Sequence, residues 1–220
     1  MHVKICGITN LDDALAAIDA GADYLGFNFY PKSQRFISPA DCADITAALR
    51  NHASRVTPHA PHITFVGIFV NEPPARVAAI LRDCGLDLAQ LHGDETPEEL
   101  AELKGRAFKA LRGTGVKNPS DFVLNGQTPA LLVDAYSPNT YGGTGHTADW
   151  AAAHVIAEQF PIFLAGGLTP ENVADAIAQV KPWGVDVASG VEVSPRKKDR
   201  VKMQKFMEIA RDEGRRTKDE

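Results

Sequence analysis

Eight times along the chain a short apolar run gives way to a longer amphipathic stretch, and this alternation leaves few architectures open. The runs fall at residues 3–8, 24–29, 63–70, 86–92, 107–111, 130–135, 162–165 and 185–188. They are rich in β-branched and aliphatic residues and too apolar to leave one face in water, which is the signature of strands buried on both sides of a parallel sheet. Helical periodicity occupies 11–20, 40–51, 74–84, 97–104, 149–159, 170–181 and 198–212, with the weakest signal at 119–124. Several of these stretches open on a capping residue followed by proline, as in Ser38-Pro39, Thr96-Pro97 and Thr169-Pro170. Proline loses nothing in a first helical turn, where its missing N–H would be unpaired. Eight strand–helix units favour closure into a single (βα)8 barrel, the TIM-barrel architecture, over a doubly wound open sheet.

A chain of 220 residues suits one such domain, assigned here to residues 1–212. The almost wholly charged end, 213–220, is expected to be disordered, and 52–62, with its histidines and prolines, to be a surface loop. A net charge of −5 without a long basic run argues against nucleic acid and anionic membranes as partners. No run reaches the roughly 18 apolar residues of a membrane span, and the first strand begins at once, so a cytoplasmic protein is expected. Three widely spaced cysteines, Cys6, Cys42 and Cys84, form neither a disulfide framework nor a zinc pattern, and the histidines have no ligand spacing, so no metal site is expected.

A closed barrel places its chemistry at the carboxyl ends of the strands. The reactive residues falling there are Cys6, Arg35, His92 and Asp134, followed by Gly166-Gly167 after the seventh run and Ser189-Gly190 after the eighth. The last two loops put small residues where backbone must approach a ligand closely, as a phosphate site requires. Because net charge is negative, such a site must be locally positive. Gly142, Gly143, Thr144 and Gly145 suggest a loop over the mouth. Side-chain alternation adds a structural expectation. If Cys6 faces the interior, so does Lys4, and a buried ammonium needs a partner, for which Asp186 on the neighbouring eighth strand is placed.

These residues stand in longer motifs: Lys4-Ile5-Cys6-Gly7-Ile8-Thr9, Tyr30-Pro31-Lys32-Ser33 with Arg35, Gln90-Leu91-His92-Gly93, and Asp134 followed by Tyr141 to Gly145. Gly166 to Val173 and Val185 to Glu192 complete the set. Taken together, from Val3 to about Asp199, the chain resembles the phosphoribosylanthranilate isomerases of tryptophan biosynthesis. The resemblance implies an Amadori rearrangement of a phosphorylated sugar-anthranilate substrate, without cofactor. By matching positions, Asp134 is the general acid that protonates the furanose oxygen and Cys6 the base that removes the C2′ proton. Arg35 holds the anthranilate carboxylate, while His92 and Asp186 line the pocket. Gly166, Gly167, Ser189 and Gly190 would hold phosphate. One departure is Arg196, where the family usually has glycine. The related isomerase of histidine biosynthesis resembles a pair of aspartates at the catalytic positions, and Cys6 counts against it. A barrel that binds sugar phosphates without turnover is disfavoured by the Cys6–Asp134 pair. The sequence does not decide between monomer and homodimer.

Overall fold

The computed structural model describes residues 1–56, 63–112, 118–124, 126–134 and 149–219. Eight parallel strands close on themselves in sequence order. They are β1 (His2–Cys6), β2 (Tyr24–Asn28), β3 (Thr64–Phe69), β4 (Leu88–Leu91), β5 (Ala107–Arg112), β6 (Leu131–Asp134), β7 (Ile162–Ala165) and β8 (Gly184–Val187). The register joining the last strand to the first pairs Val3 with Val185 and Lys4 with Asp186, which closes the ring. Around it lie α1 (Leu11–Asp19), α2 (Pro39–Val56), α3 (Pro74–Asp83), α4 (Pro97–Glu102), α5 (Trp150–Ala157), α6 (Val173–Val180) and α7 (Arg200–Asp219). The weak helical signal near 119–124 is one 3-10 turn, Pro119–Phe122.

Alternation along the strands sorts two cores. Val3, Ile5, Leu25, Phe27, Leu131, Val133 and Leu164 point outward and pack with the helices. Val66, Phe108, Ala110, Leu132, Phe163 and Ala165 point inward and fill the barrel. Leu132 is therefore inward as parity with Asp134 requires. Tyr24, Phe163 and Trp183 meet edge to face near the amino end, with Tyr24–Phe163 and Phe163–Trp183 centroids each 5.1 Å apart. This aromatic plug leaves the polar interior to the carboxyl end. A cavity of about 460 Å³ lined in part by His2, Phe160, Trp183 and Thr217 opens at the amino end. Barrel enzymes do not place their chemistry there.

Helix starts follow local chemistry. Thr96 and Glu99 form a reciprocal capping box at α4, and Ser38 Oγ accepts from the Asp41 N–H at the start of α2. Three expectations need correction. α6 begins at Val173 rather than beside Pro170, because Asn172 Oδ1 accepts from Thr169 N–H and holds 169–172 in a separate turn. α2 continues through Val56, so helix occupies the first part of the stretch read as a loop. Its remaining positions, 57–62, lie outside the described residues.

The third correction concerns the charged end, which is helical through Asp219 rather than disordered. Arg215 pairs with Asp212 and Arg216 with Glu213, both three residues apart on one helical face. Gly214 is buried against Met1. Arg211 clamps the helix to the barrel base, donating to Met1 O at 2.5 Å, Gly21 O at 3.0 Å and Asp23 Oδ2 at 2.8 Å.

Beyond β8 the chain makes a 3-10 turn, Ser189–Val191, and a small antiparallel hairpin of β9 (Glu192–Ser194) and β10 (Lys197–Lys198). The hairpin lies over the mouth beside β1, with Thr9 Oγ1 donating to Arg196 O at 3.1 Å. Arg196 has φ +73°, a left-handed conformation that costs a non-glycine residue about 1–2 kcal/mol. A glycine at this position, the residue the resemblance leads one to expect, would avoid that cost. Arg196 recovers part of the cost by donating from Nη1 to Phe36 O at 2.9 Å.

Candidate active site

Cys6 is the last residue of β1, and its thiol faces the barrel interior above Lys4. Lys4 is fully buried and its Nζ lies 2.9 Å from Asp186 Oδ1, forming the inward ion pair that strand parity anticipates. Cys6 Sγ and Lys4 Nζ each lie 3.1 Å from the point a Cβ on Gly26 would occupy. Gly26, paired with Cys6 in the β1–β2 register, is therefore the gap that admits both groups. Burial raises the thiol pKa above its ordinary value, and Asp186 adds to that rise; Lys4 and Lys198 oppose it without overcoming it. The Lys4 ammonium, in turn, loses basicity through burial but gains more from Asp186 and Cys6, so its pKa is raised. Burial thus favours the protonated thiol of Cys6, with the Lys4 and Lys198 side chains beside it working the other way.

Asp134 ends β6, three strands from β1 around the ring. Its Oδ2 lies 3.8 Å from His92 Nε2 at the end of β4, too long for a direct hydrogen bond but close enough for the charges to feel each other. Burial lowers the His92 pKa, only partly offset by Asp134 and Asp186, while Lys4 and Arg112 lower it further. His92 is therefore a neutral imidazole near pH 7. Its Nδ1 meets Gln90 Nε2 at 3.2 Å, which leaves Nε2 as the ring nitrogen that faces Asp134. Gln90, buried two residues earlier on the same inward face, was legible only as part of a motif.

Arg35 follows β2, and its stem crosses Gly7, where a Cβ would lie 2.5 Å from Arg35 Cδ. Gly7 also has φ +79°, so glycine is required there on both counts. The guanidinium meets the Glu192 carboxylate side-on, Nε to Oε1 at 2.8 Å and Nη2 to Oε2 at 2.6 Å. Lys198, whose side chain is wholly buried, donates to Glu192 Oε1 at 3.0 Å, Cys6 O at 2.6 Å and Ala188 O at 3.1 Å. Burial would raise the Glu192 pKa, but Arg35 and Lys198 outweigh it and hold the carboxyl below its usual range. Neither Glu192 nor Lys198 was singled out from sequence. The signal was faint, since Lys198 reaches the site only through the return of the hairpin.

The loops after β7 and β8 are joined. Gly166 and Gly167 have φ +103° and +67°, conformations that favour glycine. A Cβ on Gly190 would lie 1.9 Å from the Leu168 carbonyl oxygen, so the two loops touch backbone to backbone. Asn172 Nδ2 donates to Gly167 O at 3.0 Å and fixes the first loop against the turn before α6. Gly166, Gly167, Ser189 and Gly190 are thus brought together at one side of the mouth. Gly142, Gly143, Thr144 and Gly145, expected as a covering loop, lie outside the described residues. Cys42 and Cys84 sit away from the mouth between α2 and α3, where burial drives the Cys42 thiol up and makes it inert. Among the described residues no cluster of three or more His, Cys, Asp or Glu side chains could hold a metal ion, and no helix is long and apolar enough to cross a membrane.

The chain as a whole has counterparts among known proteins. An isomerase from Pelobacter propionicus named N-(5′-phosphoribosyl)anthranilate isomerase is 47% identical over 214 residues, covering 96% of each chain. Its namesake from Geobacter sulfurreducens is 45% identical over 211 residues, 96% of this chain and 98% of the other. Among solved structures, phosphoribosyl anthranilate isomerase from Thermotoga maritima superposes with a TM-score of 0.78 at 38% identity, covering 96% of this chain and 99% of that one. A further isomerase structure, solved in complex with reduced 1-(o-carboxyphenylamino)-1-deoxyribulose 5-phosphate, gives 0.75 at 36% identity, with 96% and 99% covered. The family model of N-(5′-phosphoribosyl)anthranilate (PRA) isomerase matches residues 3–209, which reach from β1 into α7 and include the hairpin that closes on Arg35. The chain therefore belongs to the N-(5′-phosphoribosyl)anthranilate isomerase family.

Proposed function

We propose that this protein converts N-(5′-phosphoribosyl)anthranilate to 1-(2-carboxyphenylamino)-1-deoxyribulose 5-phosphate, with Cys6 as base and Asp134 as acid. The observation that carries the reading is an inward thiol and an inward carboxyl at the carboxyl ends of β1 and β6, within a chain of this family. Asp134 gives a proton to the furanose ring oxygen, the ring C–O bond breaks, and the anomeric carbon becomes a Schiff base with the anthranilate nitrogen. The Cys6 thiolate then takes the C2′ proton, and the electron pair moves to form an enolamine. Tautomerisation gives the ketone. Atoms balance without a redox partner, as in any internal aldose–ketose exchange.

Each neighbouring group has a task in this scheme. Lys4 and Lys198 make the thiolate less costly in a site whose burial disfavours it. Arg35 holds the anthranilate carboxylate, as a planar two-donor fork suits a carboxylate. Neutral His92 fills the wall beside Asp134, and Asp186 keeps Lys4 charged and in place. The phosphate belongs against Gly166, Gly167, Ser189 and Gly190, where small residues let backbone N–H groups approach it. The Gly142 to Gly145 segment is read as a cover for the loaded site. A small phosphorylated anthranilate conjugate is the partner, and a cytoplasmic location fits a chain without an apolar membrane span among its described residues.

The test is turnover by purified protein, followed as loss of phosphoribosylanthranilate fluorescence with excess chelator and no added cofactor. Sustained turnover supports the assignment. Absence of turnover by well-folded protein overturns it.

A further inference from the structure

Glu192 and Lys198 stand outside the bond-making chemistry, yet both are buried at the mouth and joined to two of its working residues. Glu192 exposes only 4% of its side chain and Lys198 none. Two acceptors of the carboxylate bind the Nε–Nη2 edge of Arg35, and Oε1 also accepts from Lys198. All three Lys198 ammonium protons are engaged, the other two on carbonyls of Cys6 and Ala188 at the ends of β1 and β8. The Lys198 backbone N–H is fixed in turn by Asp13 Oδ2 at 2.9 Å. One face of Arg35 is therefore rigidly occupied, and its stem is confined by Gly7. The Nη1–Nη2 edge has no partner among the described residues, and Arg35 remains 24% exposed.

We infer that Glu192, braced by Lys198, is a positioning and specificity-determining residue that aims the free edge of Arg35 at the substrate's aryl carboxylate. A guanidinium can accept two carboxylates on adjacent edges, and fixing one edge fixes the direction of the other. The charges agree with this role. Arg35, Lys198 and Glu192 sum to one positive charge, enough to attract one carboxylate while sparing the neighbouring thiol an unbalanced double cation. Orientation set in advance costs no ordering when substrate arrives. The inference rests on Arg35 being the residue that meets the anthranilate carboxylate.

The experiment compares kcat/KM for N-(5′-phosphoribosyl)anthranilate with that for the phosphoribosyl conjugate of aniline, which lacks the carboxylate. The ratio of the two is measured on the same preparation, so partial unfolding of a variant cancels. Arg35→Lys reports the underlying reading, Glu192→Gln the inference, and the pair Glu192→Gln with Lys198→Met guards against a stranded buried ammonium. Expected is a loss of the wild-type preference of about tenfold in both Arg35→Lys and Glu192→Gln, the size of one well-directed charge-assisted hydrogen bond. In the Arg35→Lys background Glu192→Gln adds no further loss. If Arg35→Lys loses the preference while Glu192→Gln and the paired variant keep it, the positioning role is overturned and the Arg35 reading stands. If Arg35→Lys keeps the preference, the Arg35 reading falls and the inference with it.

Discussion

Replacing Lys4 by methionine removes one buried positive charge of similar volume beside the Cys6 thiol, and the consequence can be worked through. The productive enzyme carries a thiolate and a neutral carboxyl at once. Reference values near 3.9 for aspartic acid and 8.5 for cysteine put the base above the acid, so this form is a constant minority between the two apparent pKa values. The profile of kcat/KM against pH is then a plateau whose height falls tenfold for each unit added to the gap. Its alkaline limb reports the thiol. Lys4 Nζ and Cys6 Sγ each lie 3.1 Å from a common point, so they are no more than 6.2 Å apart, twice 3.1 Å. At about 6 Å and an effective dielectric of about 20, one charge is worth about 3 kcal/mol, or about two units of thiol pKa. Lys4→Met should therefore lower the plateau about 100-fold and move the alkaline limb to higher pH. Initial rates of substrate fluorescence loss across the pH range measure both. Because Asp186 opposes the thiolate, Lys4→Met with Asp186→Asn should fall between the single variant and wild type. A Lys4→Met enzyme with an unchanged plateau and an unmoved alkaline limb would refute the electrostatic role of Lys4.

Further outcomes follow from close contacts. Gly26→Ala places a methyl 3.1 Å from Cys6 Sγ, Lys4 Nζ and Ile68 Cδ1, so the thiol must shift; kcat is expected to fall at least about tenfold with KM little changed, read by steady-state kinetics. Gly190→Ala pushes against the Leu168 carbonyl and must part the two glycine loops. Its KM should rise about tenfold, and inorganic phosphate should inhibit it correspondingly less, if those loops hold the substrate phosphate. Arg211→Ala breaks three hydrogen bonds to the barrel base, one of them charged at both ends. A loss of about 2–3 kcal/mol in denaturant unfolding is expected, with kcat unaltered.

Much of this site was legible because a barrel turns sequence parity into geometry. Lys4, Cys6 and Asp186 could be placed on one inward face from two strand assignments alone, and the 2.9 Å ion pair is where that parity puts it. Strand ends likewise located Asp134 and His92 without knowledge of any loop. What was not legible depends on the chain returning from afar. Arg35 and Glu192 are separated by 157 positions and Lys198 and Cys6 by 192, and no local pattern announces that a two-strand hairpin will fold back over β1. The left-handed backbone of Arg196 in that hairpin would suit a glycine, but in sequence the position reads only as a departure. The charged end was misread for a related reason. Its polar composition suggests disorder, whereas Arg211, Met1 and Gly214 anchor it by contacts with the barrel base.

The division of labour between Cys6 and Asp134 is tested most directly by kcat for Cys6→Ser and Asp134→Asn measured beside wild type on N-(5′-phosphoribosyl)anthranilate. Each variant nearly preserves shape while removing one proton-transfer group, so each should lose about 10²–10⁴-fold in kcat with its thermal unfolding little changed. Two folded variants that both turn over at the wild-type rate would contradict the assignment.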